Sequence, residues 1–312
     1  MDSIKDAILL PFVICAGMLL KKLRTLGIKR FPCCKKALLA IGVFPIRDHY
    51  YEPLFNPKYL ARPLSDDRTL PGIEWNVDGQ LSMLSRMKHG EELRDVPASK
   101  PIGTGFYLSN PSFQSGDAEF WYNLLRMKKP RMIVEIGSGF STLLAVRAVQ
   151  KNREELQGYS CSHVCIEPYE MPWLEETGVE VVRKRVEDVD RSIFSRLGEN
   201  DVLFIDSSHI IRPQGDVLVE YLEVLPSLRK GVIVHIHDIF SPKDYLDEWI
   251  KGDVLFWNEQ YLLEAFLTAN REWEIIGALN FLAHHHYDAL KEKCPFLSHG
   301  REPGSFYIRK IA

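Results

Sequence analysis

The chain has 312 residues, of which 46% are hydrophobic and 26% are charged, and its formal net charge is −3. This composition excludes a disordered chain, a collagen-like chain and a protein with many membrane spans, and so small a charge gives no reason to expect a nucleic-acid partner. The charge is unevenly placed, because residues 1–50 carry 9 Lys and Arg against 3 Asp and Glu.

The first predicted element is a helix over residues 4–24. Its apolar run, Ala7 to Leu20, is 14 residues long, whereas a bilayer span needs about 20 residues. We therefore predict that this helix packs on the main domain. Peripheral contact with a membrane through residues 4–36 stays open as an alternative, because seven basic and no acidic residues lie between positions 21 and 36. A cleaved signal or a true membrane anchor is the remaining alternative.

The six cysteines form neither a disulfide framework nor a zinc-binding pattern. No two of them are spaced as Cys-x-x-Cys, and they stand at positions 15, 33, 34, 161, 165 and 294. Reduced thiols in a cytoplasmic protein fit this arrangement best. Acylation of Cys33 and Cys34 in a membrane-associated protein is the alternative.

Residues 1–100 contain helices and loops separated by prolines, without strand alternation. From about residue 115, short apolar runs alternate with amphipathic stretches, a pattern typical of a parallel sheet covered by helices. The predicted strands are Met132–Ile136, His163–Glu167, Val179–Arg183, Val202–Asp206, Val232–Asp238, Glu274–Leu282 and Ser305–Arg309. The predicted helices are Gly116–Met127, Ser141–Val149, Arg191–Leu197, Asp216–Leu228 and Asn258–Ala269. This order predicts an α/β fold with a doubly wound, seven-stranded, mostly parallel sheet, whose last two strands form an antiparallel hairpin at one edge.

A glycine-rich turn follows the first predicted strand, where the sequence reads E-I-G-S-G-F-S-T from Glu135 to Thr142. Gly137 and Gly139 permit a tight turn and a close approach of the backbone to a ligand. Thr142 replaces the last glycine of a dinucleotide motif, and no phosphate loop is present in the sequence. An acid before the turn suits a ligand that carries a positive amine or sulfonium.

Glu167 ends the second predicted strand, in the segment C-I-E-P. A carboxylate at this position can accept both hydroxyls of a ribose. The alternative is that Glu167 caps the segment that follows it.

Together, E-I-G-S-G-F-S-T and the downstream I-E-P resemble the nucleoside-binding half of class I S-adenosylmethionine-dependent methyltransferases. The segments V-L-F-I-D-S-S-H (202–209) and G-V-I-V-H-I-H-D-I-F (231–240) are similar to a subgroup of small-molecule methyltransferases, methyltransferase family 24. The resemblance covers about residues 115–310, and residues 42–53 resemble the N-terminal extension of that subgroup. The chain departs from the E-x-G-x-G-x-G pattern of the family at Ser141.

The resemblance implies how S-adenosylmethionine would be held. The two-glycine turn would lie under the methionine part, and Glu135 would order that turn or meet the cofactor amine. Glu167 would hold the ribose, while Val186 and Glu187 would flank the adenine. The residues predicted to contact the cofactor are Glu135, Gly137, Ser138, Gly139, Ser141, Glu167, Val186, Glu187 and Asp206.

Ionisable side chains lie at the end of the fourth predicted strand and within the fifth, where a buried parallel strand should be apolar. They are Asp206, His209, His235, His237 and Asp238. In one interpretation His209 is a general base that takes the proton of the methyl acceptor, as in sugar O-methyltransferases with a D-x-x-H segment. In another, Asp206 and Asp238, with His237, bind Mg²⁺ or a similar divalent metal, as the resemblance to metal-dependent O-methyltransferases implies. A third possibility is that His235 and His237 are hydrogen-bonded core histidines.

Further residues are predicted to contact the acceptor. His49, Tyr50 and Tyr51 would belong to a lid, and aromatic residues after the fifth strand would form a pocket wall. An ordinary turn and plain core packing are the respective alternatives. The full set of predicted substrate residues is His49, Tyr50, Tyr51, His235, Phe240 and Tyr245.

We therefore expect a cytoplasmic enzyme with a helical extension and lid at residues 1–112 and a catalytic domain at residues 113–312. It would move a methyl group from S-adenosylmethionine to a hydroxyl, or otherwise to a nitrogen or carboxylate, of a small molecule. A homodimer through the extension is a further expectation. Two rivals stay open: a non-catalytic S-adenosylmethionine-binding scaffold and a metal-dependent enzyme on the same fold.

Overall fold

The computed structural model describes residues 2–169 and 171–312, and the chain forms two compact units that divide between Pro63 and Leu64. In the first unit, α1 runs over Asp2–Leu26 and α2 over Pro32–Ile41. Short 3₁₀ turns lie at Ile28–Arg30 and Pro57–Tyr59. Within this unit, Glu52 accepts hydrogen bonds from Arg24 and Arg47, each at 2.9 Å.

Helix α1 is long and apolar enough to cross a membrane, and no residue of its most apolar window is buried. Its exposed side chains include Phe12 at 71% and Met18 at 69%. The predicted helix is therefore confirmed and extended at both ends, and its packing on the main domain stays a prediction. Consecutive apolar residues place hydrophobic surface on every side of a helix, so no single face is specified for packing.

The second unit begins with helices and continues as alternating strands and helices. The strands are β1 (Met132–Ile136), β2 (Ser162–Ile166), β3 (Glu180–Val182), β4 (Val202–Ile205), β5 (Ile233–Ile236), β6 (Trp273–Ala278) and β7 (Phe306–Lys310). The helices are α3 (Val77–Arg86), α4 (Asp117–Lys128), α5 (Phe140–Glu155), α6 (Asp216–Val219), α7 (Leu225–Ser227), α8 (Glu259–Leu267), α9 (Leu279–His285) and α10 (Tyr287–Lys293). Shorter 3₁₀ turns lie at Gly90–Leu93, Leu174–Thr177, Val186–Asp188 and Arg191–Arg196, and π-helical turns lie at Glu220–Val224 and Glu248–Gly252.

The seven strands form one sheet in the order β3-β2-β1-β4-β5-β7-β6. Strands β1 to β5 are parallel, whereas β7 runs antiparallel to both β5 and β6. The predicted α/β class with a mostly parallel, seven-stranded sheet is confirmed. The central strands were readable because parallel strands covered on both faces are continuous apolar runs, and every residue of β4 and β5 is buried.

The predicted antiparallel pairing of the last two strands at one edge is confirmed, but their order and connection differ from a simple hairpin. Strand β7 lies between β5 and β6, and two helices, α9 and α10, separate β6 from β7 in the chain. The sixth predicted strand ran on to Leu282, but the helix begins at Leu279. An apolar run alone does not distinguish a strand from a buried helix, which explains the error.

The second unit starts about fifty residues before the predicted domain boundary at 113. Asn76, just before α3, donates from Nδ2 to the carbonyl of Ile275 in β6 at 2.8 Å. Gln80 in α3 accepts the backbone N–H of Ala278 at 2.7 Å. These two bonds attach the segment around α3 to the edge strand of the sheet. The local sequence gives no signal of them, because the paired residues lie about two hundred positions apart.

Candidate active site

A cleft of about 990 Å³ opens at the carboxyl ends of β1, β2 and β4. Ligands of doubly wound sheets bind at this end of the strands. Eight of the nine residues predicted to contact the cofactor line this cleft: Gly137, Ser138, Gly139, Ser141, Glu167, Val186, Glu187 and Asp206. The structure therefore brings the predicted set together, with Glu135 as the exception, and their contacts with a cofactor stay a prediction.

The turn after β1 depends on the absence of a side chain at Gly137. This residue has a φ of 79°, in the left-handed region that favours glycine. A Cβ atom there would lie 1.9 Å from the carbonyl oxygen of Asp206. The turn is thus pressed against the end of β4, and it leaves the cleft open beside it.

Glu135 lies behind the turn, not in the cleft. Its side chain is fully buried. One carboxylate oxygen accepts hydrogen bonds from the hydroxyls of Ser141 at 3.1 Å and Thr142 at 2.7 Å. The other oxygen lies 2.6 Å from Nε2 of His163 on β2. Of the two roles implied for Glu135, this geometry favours ordering the turn over meeting the cofactor amine.

Glu167 lies in the cleft wall next to the glycine turn. Its Oε2 accepts the backbone N–H of Ser138 at 3.3 Å, and its Oε1 accepts the N–H of Tyr169 at 3.0 Å. The carboxylate therefore connects the ends of β1 and β2. Backbone donors fix this side chain at the edge of the cleft, and its contact with a ribose stays a prediction.

The ionisable side chains after β4 and β5 form one cluster beside the cleft. Nε2 of His209 lies 3.3 Å from Oδ1 of Asp206 and 3.6 Å from Oδ2 of Asp238. Both His209, at φ 59°, and Asp238, at φ 58°, have left-handed backbone. Such strained positions concentrate at functional sites, so the geometry supports a functional role for this cluster.

The structure adds Glu259 and Tyr221 to the cluster, and neither was predicted. Nδ1 of His209 donates to Oε2 of Glu259 at 2.8 Å, and the Tyr221 hydroxyl donates to Oε1 at 3.0 Å. Glu259 is fully buried at the start of α8. The available signal was a carboxylate on the face of α8 that also carries the buried Leu263 and Leu267.

The charges within the cluster move the pKa values in opposite directions. Burial opposes protonation of His209, but hydrogen bonds to Asp206 and Glu259 raise its pKa well above the ordinary value. Burial likewise opposes protonation of His237, but the charges of Asp238 and Asp206 raise its pKa to about 10. The nearby imidazoles lower the pKa of Asp206, while burial raises the pKa of Asp238. The carboxylates of the cluster therefore favour the protonated forms of His209 and His237 in the free protein.

His235 lies in the core. It is 0% exposed, its Nε2 lies 2.8 Å from the Ser305 hydroxyl, and its ring stacks on that of Tyr307 at 4.1 Å. Burial lowers its pKa well below the ordinary value, so the imidazole is neutral. The geometry favours the core interpretation of His235 over a contact with the acceptor.

The potential metal ligands are partly those predicted. Asp206, His209 and Asp238 each offer a ligand atom, and these atoms lie within 4.8 Å of one another. His237 was expected in place of His209; its Nδ1 lies 3.5 Å from Oδ1 of Asp206 and 3.4 Å from Oδ1 of Asp238. Two carboxylates and one imidazole are a donor set that divalent cations accept, so these residues fit a metal.

Aromatic rings pack behind the cluster. The Trp257 ring lies 4.3 Å from that of His209. Phe240 and Tyr245 are 2% and 1% exposed, and both contact the ring of Trp249. The structure thus places the two predicted wall residues inside this aromatic packing, which agrees with the core alternative.

The remaining predicted acceptor contacts, His49, Tyr50 and Tyr51, belong to the first unit. They lie in a turn, and Tyr50 and Tyr51 are 92% and 84% exposed. The Tyr50 and Tyr51 rings contact each other edge to face at 5.1 Å. Their predicted function as part of a lid stays a prediction.

Comparisons with known proteins match this part of the chain. Residues 134–239 match a family model described as a methyltransferase domain. An uncharacterized protein of Archaeoglobus fulgidus is 30% identical over 171 residues, which cover 51% of this chain and 75% of that protein. The matched family segment includes the glycine turn, Glu167, Asp206, His209 and Asp238, whereas Glu259 lies outside it.

Two solved structures are similar at lower identity. The plantazolicin methyltransferase BpumL, in complex with a triazolic desmethylPZN analog and SAH, is 14% identical, with a TM-score of 0.35 over 63% of this chain and 84% of that chain. The MycE methyltransferase from the mycinamycin biosynthetic pathway, in complex with Mg and SAH, is 15% identical, with a TM-score of 0.32 over 61% of this chain and 48% of that chain.

Proposed function

Because this chain belongs to the class I S-adenosylmethionine-dependent methyltransferases, we propose that it methylates a hydroxyl group of a small molecule. In this proposal the cofactor occupies the cleft at the ends of β1, β2 and β4. The acceptor hydroxyl lies at the cluster of Asp206, His209 and Asp238. Nitrogen and carboxylate acceptors are the alternatives that the assay below distinguishes.

Two features of the cleft support a cofactor site there. The tight approach of Gly137 to Asp206 leaves a backbone cradle without side chains, and the cleft wall carries Glu167, Glu187 and Asp206. When bound, S-adenosylmethionine supplies a methyl group on a positively charged sulfur. Carboxylates stabilise such a cation, and Glu167 is positioned for the ribose hydroxyls.

The observation that carries the proposal is the position of His209 between buried and cleft-facing carboxylates. Glu259 accepts a hydrogen bond from the Nδ1–H group of His209 and thereby directs Nε2 toward Asp206 and Asp238. With S-adenosylmethionine bound, Nε2 of His209 would take the proton of the acceptor hydroxyl while its oxygen receives the methyl group and the electron pair of the carbon–sulfur bond stays with sulfur. The protein contributes alignment and this proton transfer.

His209 can accept a proton only after its own Nε2 proton has left. The neighbouring carboxylates favour its protonated form in the free protein, so a positive charge must offset them in the complex. The sulfonium beside Asp206 is one such charge. A divalent cation held by Asp206 and Asp238 is the second candidate, supported by the convergence of their ligand atoms; it would supply an acceptor hydroxyl of lowered pKa and leave Nε2 of His209 as the base.

The decisive experiment combines calorimetry with S-adenosylhomocysteine and a methyl-release assay over hydroxyl, amine and carboxylate acceptors. We expect binding of the nucleoside and turnover on a hydroxyl compound. His209→Ala should lower turnover by about 10²–10⁴-fold while nucleoside affinity changes less than about threefold. The control is His284→Ala, which removes an exposed histidine of α9.

Each negative outcome has a separate meaning. Binding without turnover on any acceptor class would favour a non-catalytic scaffold. Metal binding without nucleoside affinity would favour a metal-dependent enzyme of another kind. Full activity of His209→Ala would eliminate this residue as the base.

A further inference from the structure

Helix α1 is apolar on all sides and is exposed on all sides. Three consecutive residues, Ile8, Leu9 and Leu10, are 62%, 57% and 52% exposed. Successive residues of an α-helix point about 100° apart, so three in a row cover most of its circumference. A helix that lies flat on a membrane keeps one polar face, whereas this pattern is typical of a helix surrounded by hydrocarbon.

The length of α1 fits a bilayer. Its 25 residues span roughly 37 Å at a rise of about 1.5 Å per residue, and the hydrocarbon core is about 30 Å thick. The uncharged part, Ala7 to Leu20, is 14 residues long and covers only about 21 Å. Lys5 on one side and Lys21 and Lys22 on the other can extend their side chains to the headgroups and make up the difference.

The segment after the apolar run has the charge that an anionic membrane surface attracts. Residues 21–36 contain seven basic and no acidic residues, and clusters of Lys and Arg next to an apolar helix bind anionic headgroups. Helix α2 continues this surface with no buried residue, and Leu39 and Ile41 are 57% and 73% exposed. The apolar surface suits the hydrocarbon layer of a leaflet, and the adjacent basic residues suit its layer of anionic headgroups.

We propose that α1 inserts into a lipid bilayer and that residues 21–36 bind anionic lipid headgroups, so that this methyltransferase is anchored to a membrane. Basic flanks stay on the cytoplasmic side of membranes. The chain that follows residue 36, with the methyltransferase unit, therefore emerges on the cytoplasmic side.

The native cysteines allow a direct test of insertion. Cys15 lies in the middle of α1, and Cys34 lies among the basic residues; both are exposed, whereas Cys161, Cys165 and Cys294 are buried. Two full-length variants retain one exposed thiol each: the Cys33→Ser/Cys34→Ser variant keeps Cys15, and the Cys15→Ser/Cys33→Ser variant keeps Cys34. Each is reconstituted into phosphatidylcholine vesicles containing one quarter phosphatidylglycerol and treated with a charged maleimide.

We expect the maleimide to modify Cys34 at least tenfold faster than Cys15 in vesicles, because thiolate formation requires water. Equal rates of modification of Cys15 and Cys34 after the vesicles are dissolved in dodecyl sulfate would show that the difference in intact vesicles comes from the bilayer. Equal rates in intact vesicles would overturn the proposal. Protection of Cys15 without any vesicles would also overturn it, because that result indicates burial against a second copy of the chain.

Vesicle flotation tests the apolar surface itself. The Leu9→Asp/Val13→Asp variant places two carboxylates in the middle of α1. It should lower the ratio of vesicle-bound to free protein at least a hundredfold. The matched control, Leu156→Asp/Leu222→Asp, places the same change on the second unit at residues that are 47% and 64% exposed. Flotation unaffected by the α1 substitutions would refute insertion, as would an intact mass showing that the cellular protein has lost α1.

Discussion

Replacing Gly137 by Ala should destabilise the second unit through a single contact. The φ of 79° costs an L-residue about 1–2 kcal/mol. The new Cβ would stand 1.9 Å from the Asp206 carbonyl oxygen, whereas real Cβ contacts stay beyond 3.0 Å. The end of β4 or the turn must therefore move by about 1.1 Å, and overpacking of this kind adds about 1–3 kcal/mol.

The expected loss is about 2–5 kcal/mol in the free energy of unfolding. For a unit of this size that corresponds to a fall in Tm of about 4–20 °C, measured by thermal denaturation of the ligand-free protein. The same displacement moves Asp206 at the cleft, so S-adenosylhomocysteine should bind at least tenfold more weakly by calorimetry.

Gly139→Ala is the matched control for stability, two residues away in the same turn. Its φ of −178° lies outside the left-handed region, and an added Cβ would meet Cε of Met171 at 3.6 Å, a normal contact. We expect a change below about 0.5 kcal/mol. Equal melting temperatures of Gly137→Ala and the unmodified protein, or equal losses in the two variants, would refute the reasoning.

Three further predictions concern charge. Glu259→Gln should lower kcat about 10- to 1,000-fold with little change in KM for S-adenosylmethionine, because the imidazole of His209 loses its orienting carboxylate. A marked fall in the melting temperature of the ligand-free variant would instead indicate a structural role. Burial opposes ionisation of Glu92, but hydrogen bonds, that from Arg126 foremost, lower its pKa from 4.5 to about 2. The ion pair therefore stabilises the fold above about pH 4.5 and is lost between pH 4.5 and 2; Glu92→Gln should cost about 1–3 kcal/mol at pH 7 and flatten this acid transition in urea titrations. If a divalent cation completes the cluster, chelation should reduce methyl transfer more than tenfold and Mg²⁺ should restore it, whereas unchanged activity would dismiss the metal.

The strand ends were predictable because they follow runs that local chemistry defines. Val202–Ile205 is apolar throughout, Ile233–Ile236 is apolar except for His235, and both strands are fully buried, so the polar residues directly after them, Asp206 and His237, mark the edge of the sheet. The glycine turn was readable for a similar reason, since few residues other than glycine tolerate its backbone. Parallel strands then bring their carboxyl ends to one edge without further information.

The partners of the predicted residues were not predictable. Glu259 stands fifty residues from His209, and His163 stands 28 residues from Glu135, yet each pair shares a hydrogen bond. The local signal for Glu259 is its place on the face of α8 that carries Leu263 and Leu267, and this signal does not identify His209 as its partner. The same holds for β7, whose place between β5 and β6 depends on which strand edges remain open once the parallel core has formed.

The amino-acid order by itself determined the class of fold, the glycine turn and the set of ionisable groups, because these depend on apolar runs and on backbone conformations that few residues adopt. Only the tertiary structure decided that Glu135 supports the turn from behind, that His235 is a core residue and that Glu259 orients His209. Those assignments depend on burial and on distances between elements far apart in the chain, and hydrogen bonds of a few ångströms are formed only after the sheet is assembled.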